Sequence, residues 1–262
     1  MSRPWAAPRR GWDMPGAPLT RAVSGFVGWL ARLPAPPAVW IFARLARIDR
    51  TEMAGRLADY RSVQALFVRR LRPGVRPVDR RQGVLVSPAD GTFVQGGPVG
   101  PDTTIAVKGR RLAVSELLAG TDVEPFAGGS FALVYLSPRD YHRVHAPAEG
   151  EVVQTLHVRG ALYPVNDLGL RWIPRVFVRN ERRSLVVRNE TFGWMAWVLV
   201  GSTNVGSVVL EPETDESVVA GQEIGRFELG SSVLVFSQRP VRFDRVPGSP
   251  VRYGESLGFI SS

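Results

Sequence analysis

The sequence predicts an α+β fold in which amphipathic helices at the N-terminus precede a β-rich domain. Two periodicities support this prediction. Before residue 70, apolar residues recur at steps of three and four, the spacing that places them on one face of a helix. From about residue 83, short apolar runs alternate with glycine and proline turns, which is typical of strands. We therefore divide the chain into residues 1–70, a flexible arm followed by helices, and residues 71–262, a β-rich domain.

Composition narrows the classes of function. The chain has 262 residues, no cysteine and a net charge of +9. Without cysteine, neither a disulfide framework nor a cysteine zinc site can form. Lys108 is the only lysine, so nearly all of the positive charge is arginine, which binds phosphate well. No nucleic-acid motif is present, and an anionic membrane surface is therefore the favoured partner, with arginine-rich codon usage as the alternative explanation.

Two apolar segments near the N-terminus predict membrane docking. Residues 19–33 place their apolar side chains on one helix face, and a proline-rich break separates them from residues 38–48. Neither segment has the roughly 20 uncharged apolar residues that a spanning helix needs. We expect an interfacial hairpin with Trp29 and Trp40 at head-group depth. The alternative is that both helices cover the core of a soluble domain.

The remaining elements follow from the same periodicities. Residues 49–70 are predicted to form a further helix, because Asp49 and Glu52 have capping-box spacing. A short helix is predicted at residues 113–118. The predicted strands are 84–86, 131–136, 151–158, 184–187, 194–200, 207–210 and 233–236. Two turns of similar design, 87–91 and 146–150, resemble those in the flattened β-sandwich of lipoyl and biotinyl carriers.

Three short motifs are candidates for chemistry, and each also has an ordinary explanation. Gly230-Ser231 could be a bulge or a tight turn, and Asp90 before Gly91 is the composition of a turn. His142 and His145 could be structural, or could bind a metal from one helix face. No metal site is predicted, because the chain lacks cysteine and a glutamate-containing zinc motif. The remaining histidine, His157, lies in an alternating strand without a motif and is interpreted as structural.

Together these motifs resemble those of the phosphatidylserine decarboxylases, pyruvoyl-dependent enzymes that make phosphatidylethanolamine. The resemblance extends over roughly residues 60 to 240. The matching segments are 67–77, 87–91, 108–109, 116–120, 135–145, 200–207 and 225–231. The family usually has threonine after the cleavage serine, where this chain has Ser232. Because a hydroxyl is kept, we expect cleavage to be preserved.

The resemblance implies a proenzyme that cuts its own chain. Ser231 would attack the carbonyl of Gly230, His145 would take the serine proton, and Asp90 would fix the tautomer of His145 and stabilise its imidazolium. The products would be a β chain, 1–230, and an α chain, 231–262, that begins with a pyruvoyl group derived from Ser231.

The same resemblance implies how the lipid is decarboxylated. The amine of phosphatidylserine would form a Schiff base with the pyruvoyl group, which would accept the electron pair released with carbon dioxide. His142 would return the proton or hold the substrate carboxylate. Arg143, which flanks these residues, could meet a substrate anion or could be solvated.

Partners and location also follow from the resemblance. We expect phosphatidylserine and an anionic membrane surface as partners, association of the protein's own two chains, a possible homodimer, and a peripheral position on the cytoplasmic face of the cell membrane. A pyruvoyl decarboxylase of another serine lipid or of a soluble amino acid is the nearer alternative, which the apolar N-terminal segments disfavour. A non-enzymatic lipoyl-like membrane module is the other alternative. It is disfavoured because Lys108 lies in Val-Lys-Gly-Arg rather than in a hairpin-tip acceptor motif.

Overall fold

A computed structural model of the chain describes residues 17–119, 121–202, 208–228 and 231–261. The helices are α1 (Ala17–Arg32), α2 (Pro36–Leu45), α3 (Val63–Phe67), α4 (Val114–Leu117), α5 (Asp167–Trp172) and α6 (Val176–Arg179). The strands are β1 (Val84–Val86), β2 (Gly91–Pro98), β3 (Thr104–Val107), β4 (Arg110–Ala113), β5 (Ser130–Leu136), β6 (Arg143–His145), β7 (Gly150–Val158), β8 (Arg182–Asn189), β9 (Gly193–Gly201), β10 (Val208–Leu210), β11 (Ser217–Val218), β12 (Glu223–Phe227), β13 (Ser231–Ser237), β14 (Val241–Phe243), β15 (Pro250–Val251) and β16 (Ser256–Ile260). The predicted α+β class is confirmed.

The strands form mostly antiparallel sheets around one large sheet. That sheet has eight strands in the order β11-β7-β8-β9-β13-β5-β2-β15. Two three-stranded sheets accompany it, with the orders β10-β12-β6 and β1-β16-β14, and β3 and β4 form a separate hairpin. The resemblance of this arrangement to a lipoyl-type sandwich stays a prediction.

The large sheet buries both of its faces. Because successive side chains of a strand point to opposite faces, Val233 and Val235 join one core while Leu234 and Phe236 join the other. The first core contains residues of the small sheets, such as Val144 on β6. The second core is closed by the β3–β4 hairpin and by α4 and α6. β13 is therefore central and contributes to two separate layers.

Most of the predicted strands are confirmed, with ends that differ by one or two residues. The short helix predicted at 113–118 is α4, and the predicted helix at 19–33 is α1. Ser207, the first residue of one predicted strand, lies outside the described residues, and that strand is described as β10.

The helix predicted over residues 49–70 is wrong for most of its length. Only the 3₁₀ turn Leu57–Asp59 and α3 are helical there. The side chain of Asp49 accepts hydrogen bonds from the main chain and hydroxyl of Thr51, so it closes a local turn and does not cap a helix. The side chain of Glu52 contacts the Arg76 guanidinium at 2.6 Å. Both acidic side chains of the predicted capping box therefore bond with groups other than a helix N-terminus.

Helices α1 and α2 are attached to the β-rich domain but leave many apolar side chains in solvent. α2 buries Val39 and Ala43 in a small core. Arg32, the last residue of α1, donates to Glu228 at 2.7 Å, just before the predicted cleavage position. The exposed large apolar side chains of the pair are Leu19, Val23, Phe26, Trp29, Leu30, Leu33, Trp40, Ile41 and Leu45. Among the described helices none alone is long and apolar enough to cross a membrane, whereas Pro18–Arg32 and Pro36–Leu45, bent by 113°, meet that test only as a pair.

Lys108 corrects another expectation from the sequence. Val107 pairs with Arg110, so Lys108 and Gly109 form the two-residue turn of the β3–β4 hairpin. Both turn residues have positive φ, 47° and 76°, as this type of tight hairpin turn requires. The only lysine therefore does lie at a hairpin tip, although the local sequence did not indicate it.

Candidate functional site

Ser231 is the first residue of β13 and lies in the middle of the large sheet. Its neighbours across the two ladders are Leu136 on β5 and Gly201 on β9. The residue is fully buried, and its Oγ has no hydrogen-bond partner among the described residues. A buried hydroxyl without a partner costs free energy, so it is a candidate for chemistry. Gly230, on the other side of the predicted cleavage bond, lies outside the described residues.

The fold places β6, the strand that carries His145, on the side of the large sheet that Ser231 faces. By strand alternation, Ser231 shares its face of the sheet with Val233, and the core on that face contains Val144, which precedes His145. β12, which leads toward Ser231 in the chain, pairs with β6. Its last residue, Phe227, donates its main-chain N–H to the carbonyl oxygen of His142 at 2.9 Å. Both histidines therefore flank the strand that enters the predicted cleavage position.

His145 is held in a tautomer suited to a general base. Its Nδ1 lies 2.9 Å from the carbonyl oxygen of Gly221, so the hydrogen-bond network assigns the proton to Nδ1. The ring stacks on Tyr253 with centroids 3.7 Å apart and planes inclined by 2°. Its Nε2 is buried without a partner among the described residues. Burial lowers the pKa of His145, which keeps the imidazole neutral and its Nε2 lone pair available.

Asp90 does not contact His145 directly, which corrects the predicted orienting role. Its carboxylate accepts hydrogen bonds from Arg76, the shortest at 2.7 Å, and from the main-chain N–H of Tyr253 at 2.9 Å. The carbonyl oxygen of Gly221 accepts the hydrogen bond from Nδ1 of His145 that the sequence analysis assigned to Asp90. Asp90 instead positions Tyr253, whose ring supports His145. Its negative charge raises the pKa of His145, against the larger effect of burial, and so favours the imidazolium.

His142 is completely buried next to α3. Its ring stacks on Phe67 with centroids 3.8 Å apart, and its Nε2 donates to the carbonyl oxygen of Ser137 at 3.0 Å. Its Nδ1 has no partner among the described residues. Burial lowers the pKa of His142 to about 3, and the positive charge of Arg69 acts in the same direction. The imidazole is therefore neutral near pH 7 in the uncut chain and can accept a proton at Nδ1.

Arg143 is buried and paired, so the solvated alternative is wrong. Its Nη1 contacts Glu223 on β12, and its Nε donates to the carbonyl oxygen of Val68 at 3.1 Å. The residue therefore ties the segment after α3 to β6 and β12. His157, in contrast, is partly exposed and contacts Glu181 at 3.1 Å, in line with a structural role.

Several residues of the site were not found by sequence reasoning. Tyr253 and Gly221 support His145, but nothing in their local sequence marks them. Arg76, which bonds with Asp90, lies in the matching segment 67–77, but the sequence assigned it no role. Arg69 is 4% exposed and donates to the carbonyl oxygens of Arg139 and Asp140 at 2.8 and 3.1 Å. Arg69 also lies in the matching segment 67–77, but arginines are too frequent in this chain for its burial to be predicted.

A cavity lies against the opposite face of β13. Its volume is about 590 Å³, and Ser232, Lys108, Tyr135, Leu133, Asn166 and Phe177 are among its lining residues. Ser232 is buried, and its Oγ has no partner among the described residues. The two consecutive serines thus point to different environments, Ser231 toward the core that contains Val144 of β6 and Ser232 toward the cavity.

Within the part of the chain that the structure describes, no group of three or more histidine and carboxylate side chains is arranged to hold a metal ion.

The fold and the site define an α+β protein with a buried serine nucleophile candidate on its central strand and two buried, neutral histidines beside β12, the strand that leads toward that serine. Residues 63–259 match the family model described as phosphatidylserine decarboxylase. The chain is 36% identical to the phosphatidylserine decarboxylase proenzyme of Variovorax paradoxus, over 92% of this chain and 94% of that protein. It is 33% identical to the proenzyme of Alkalilimnicola ehrlichii, over 90% and 91%, and 38% identical to that of Brevibacillus brevis, over 74% and 79%. The chain belongs to the phosphatidylserine decarboxylase family.

Proposed function

We propose that this protein converts phosphatidylserine to phosphatidylethanolamine in phospholipid biosynthesis, as a carboxy-lyase that first cuts its own chain before Ser231. Family membership over most of the chain supports the reaction, and the relatives named proenzyme support the processing step. The observation that carries the proposal to named residues is the buried, unpartnered Oγ of Ser231 on the face of the sheet that also holds β6 and its histidine.

Self-cleavage begins with proton transfer from Ser231 Oγ to Nε2 of His145. The oxygen adds to the carbonyl carbon of Gly230, the C–N bond breaks, and the nitrogen of Ser231 takes up a proton, which leaves an ester. Loss of the Cα proton of Ser231 then breaks the Cβ–O bond and releases Gly230 as a carboxylate. Water replaces the nitrogen of the remaining dehydroalanine, and ammonia leaves. The α chain then begins with a pyruvoyl group.

The surroundings of His145 support its role as the base. The carbonyl of Gly221 fixes the proton on Nδ1, and burial keeps Nε2 unprotonated below the ordinary pKa of histidine. When His145 takes the serine proton, it becomes an imidazolium in a buried site. The carboxylate of Asp90, together with Glu223, then stabilises that charge.

A pyruvoyl group fits the start of β13. The residue that would become it has a buried hydroxyl without a hydrogen-bond partner among the described residues, so loss of that hydroxyl breaks no described side-chain hydrogen bond. When present, the group supplies an electron sink for the pair released with carbon dioxide. His142 can hold a proton at Nδ1 and return it to the substrate carbon, because an anionic substrate raises the pKa of a neighbouring imidazole.

We further propose that α1 and α2 dock the enzyme on the cytoplasmic face of the cell membrane. Phe26 and Trp29 of α1 are more than half exposed, and Trp40 and Ile41 of α2 are at least half exposed. Arg50 lies over the Trp40 ring at 5.4 Å, a combination suited to lipid phosphates and the head-group region.

The test of the function is an assay of purified protein on phosphatidylserine in mixed micelles. Wild-type protein should release carbon dioxide and form phosphatidylethanolamine. The Ser231→Ala variant, which keeps the fold but lacks the nucleophile, should stay uncut and inactive. Wild-type protein that is cut but forms no phosphatidylethanolamine would contradict the proposed reaction.

A further inference from the structure

The first two residues of β13 face opposite sides of the large sheet. Ser231 and Ser232 are consecutive residues of β13, so their side chains point to opposite faces. Ser231 faces the core that contains β6, whereas Ser232 lines the cavity of about 590 Å³. Consecutive Cα atoms are about 3.8 Å apart. The cavity wall therefore begins one residue from the carbon that the substrate amine must reach.

The cavity has the size and character of a ligand site. Its volume falls within the roughly 300–1,000 Å³ that is typical of small-molecule pockets, and most of its lining is apolar. The buried Oγ of Ser232 has no partner among the described residues and points into this space. A buried hydroxyl in a cavity wall is an unsatisfied group that a polar ligand can satisfy.

The cavity is lined by a lysine, whereas all other basic side chains of the protein, apart from its histidines, are arginines. Lys108 is the only lysine of the protein, and the tight turn of the β3–β4 hairpin places it at the cavity. An ammonium group is a compact point charge that binds phosphate without the fixed geometry of a guanidinium.

We propose that this cavity is the head-group site for phosphatidylserine, in which Lys108 binds the phosphodiester and Ser232 Oγ hydrogen-bonds the same head group. This inference rests on the proposed function. The phosphodiester is the better partner for Lys108 than the carboxylate, because a cation on the carboxylate would stabilise the charge that decarboxylation removes. A cation on the phosphodiester stabilises substrate and transition state equally.

This assignment predicts a particular kinetic effect. Loss of an interaction that is equal in substrate and transition state raises KM and leaves kcat unchanged. The product keeps the phosphodiester and has lost the carboxylate, so its inhibition constant should rise by the same factor as KM. Self-cleavage should be unaffected, because Lys108 lies on the cavity side of β13.

The experiment compares Lys108→Met with wild type on dihexanoyl phosphatidylserine, used as monomers below its micelle concentration so that membrane binding does not contribute. We expect complete self-cleavage, a KM raised about ten- to hundredfold, and a kcat within about twofold of wild type. Inhibition by dihexanoyl phosphatidylethanolamine should weaken in parallel with KM. Lys108→Arg, which keeps a cation, should retain most of the affinity.

Arg111→Met is the matched control, because it removes a positive charge from the same hairpin. Arg111 is exposed and paired with Asp102 at 2.6 Å, so its loss should leave KM within about twofold. An unchanged KM in Lys108→Met would overturn the head-group site. A raised KM with unchanged product inhibition would assign Lys108 to the carboxylate and overturn the phosphodiester contact. Wild-type protein that is cut but inactive on this lipid would instead refute the proposed function.

Discussion

At the scale of single residues, the site depends on how each imidazole nitrogen is used. His145 has one nitrogen fixed by Gly221 and the other free, and His142 has one fixed by Ser137 and the other free. Both imidazoles are therefore neutral, but His145 carries its proton on Nδ1 and His142 carries its proton on Nε2. Only His145 lies on a strand of the small sheet and stacks on Tyr253.

Replacement of His145 should stop self-cleavage. His145→Ala removes the base that we assign to the Ser231 proton, so we expect the purified protein to stay a single chain on a denaturing gel. His157→Ala is the matched control, because His157 lies on β7, is paired with Glu181 and should be dispensable for cleavage. Cleavage of His145→Ala at the wild-type rate would show that another group is the base.

Replacement of His142 should separate cleavage from decarboxylation. We expect His142→Ala to cut itself, because His145 and Ser231 are intact, and to turn over phosphatidylserine more slowly by about two orders of magnitude, the typical contribution of a general acid or base. Mass spectrometry reports the first step and product formation the second. A variant that remains uncut would place His142 in the cleavage reaction.

The buried imidazole of His142 also makes folding dependent on pH. Its pKa is lowered from 6.5 to about 3, so below about pH 6.5 the unfolded chain binds a proton that the folded chain does not. The stabilisation is therefore complete above that pH and is lost as pH falls toward 3, by about 2 kcal/mol between pH 7 and pH 5. Urea unfolding of uncut Ser231→Ala protein should show this loss. Adding His142→Phe should reduce it, and an equal loss in both proteins would argue against a buried neutral His142.

At the scale of elements, the sequence predicted the helices and strands whose pattern of apolar residues matches the faces that they bury. The strands from residue 131 to 136 and from 233 to 236 are apolar throughout because both faces of the large sheet are buried. The region 49–70 misled the prediction because Glu52 bonds with Arg76 and does not cap a helix. Such a long-range ion pair leaves no local signal in the sequence.

The exposed face of α1 should control membrane binding. Deletion of residues 1–48 would also remove Val39 and Ala43 from a core, so surface substitutions are the cleaner test. Phe26→Ser combined with Trp29→Ser removes two large apolar side chains, each contributing about 1.5–3 kcal/mol when buried in lipid. We expect vesicle co-sedimentation to fall at least tenfold, with self-cleavage unchanged.

Val246→Ser provides the control for that experiment. Val246 is an exposed apolar residue of the β-rich domain, and its replacement should leave vesicle binding unchanged. Undiminished binding of the α1 variant would mean that the lipid-docking surface lies elsewhere and that α1 serves only as structural cover.

At the scale of the whole molecule, residues distant in the chain converge on β13. The motifs around Asp90, His142, His145 and Ser231 could be found in the sequence because together, and in this order, they resemble the motifs of one known family. The contact of Gly221 with His145 and the cavity behind Ser232 could not be found, because both depend on the order of strands in the sheets. The position of Asp90 could not be predicted either, because its carboxylate bonds with Arg76, whereas the carbonyl of Gly221 bonds with Nδ1 of His145.

Intact-mass spectrometry of the purified wild-type protein tests the central claim most directly. The account predicts two chains, 1–230 and 231–262, and an α chain lighter by one ammonia than a chain beginning with serine. Reduction with borohydride in the presence of phosphatidylserine should add the lipid to the α chain alone. A single intact chain in protein that actively forms phosphatidylethanolamine would contradict the account.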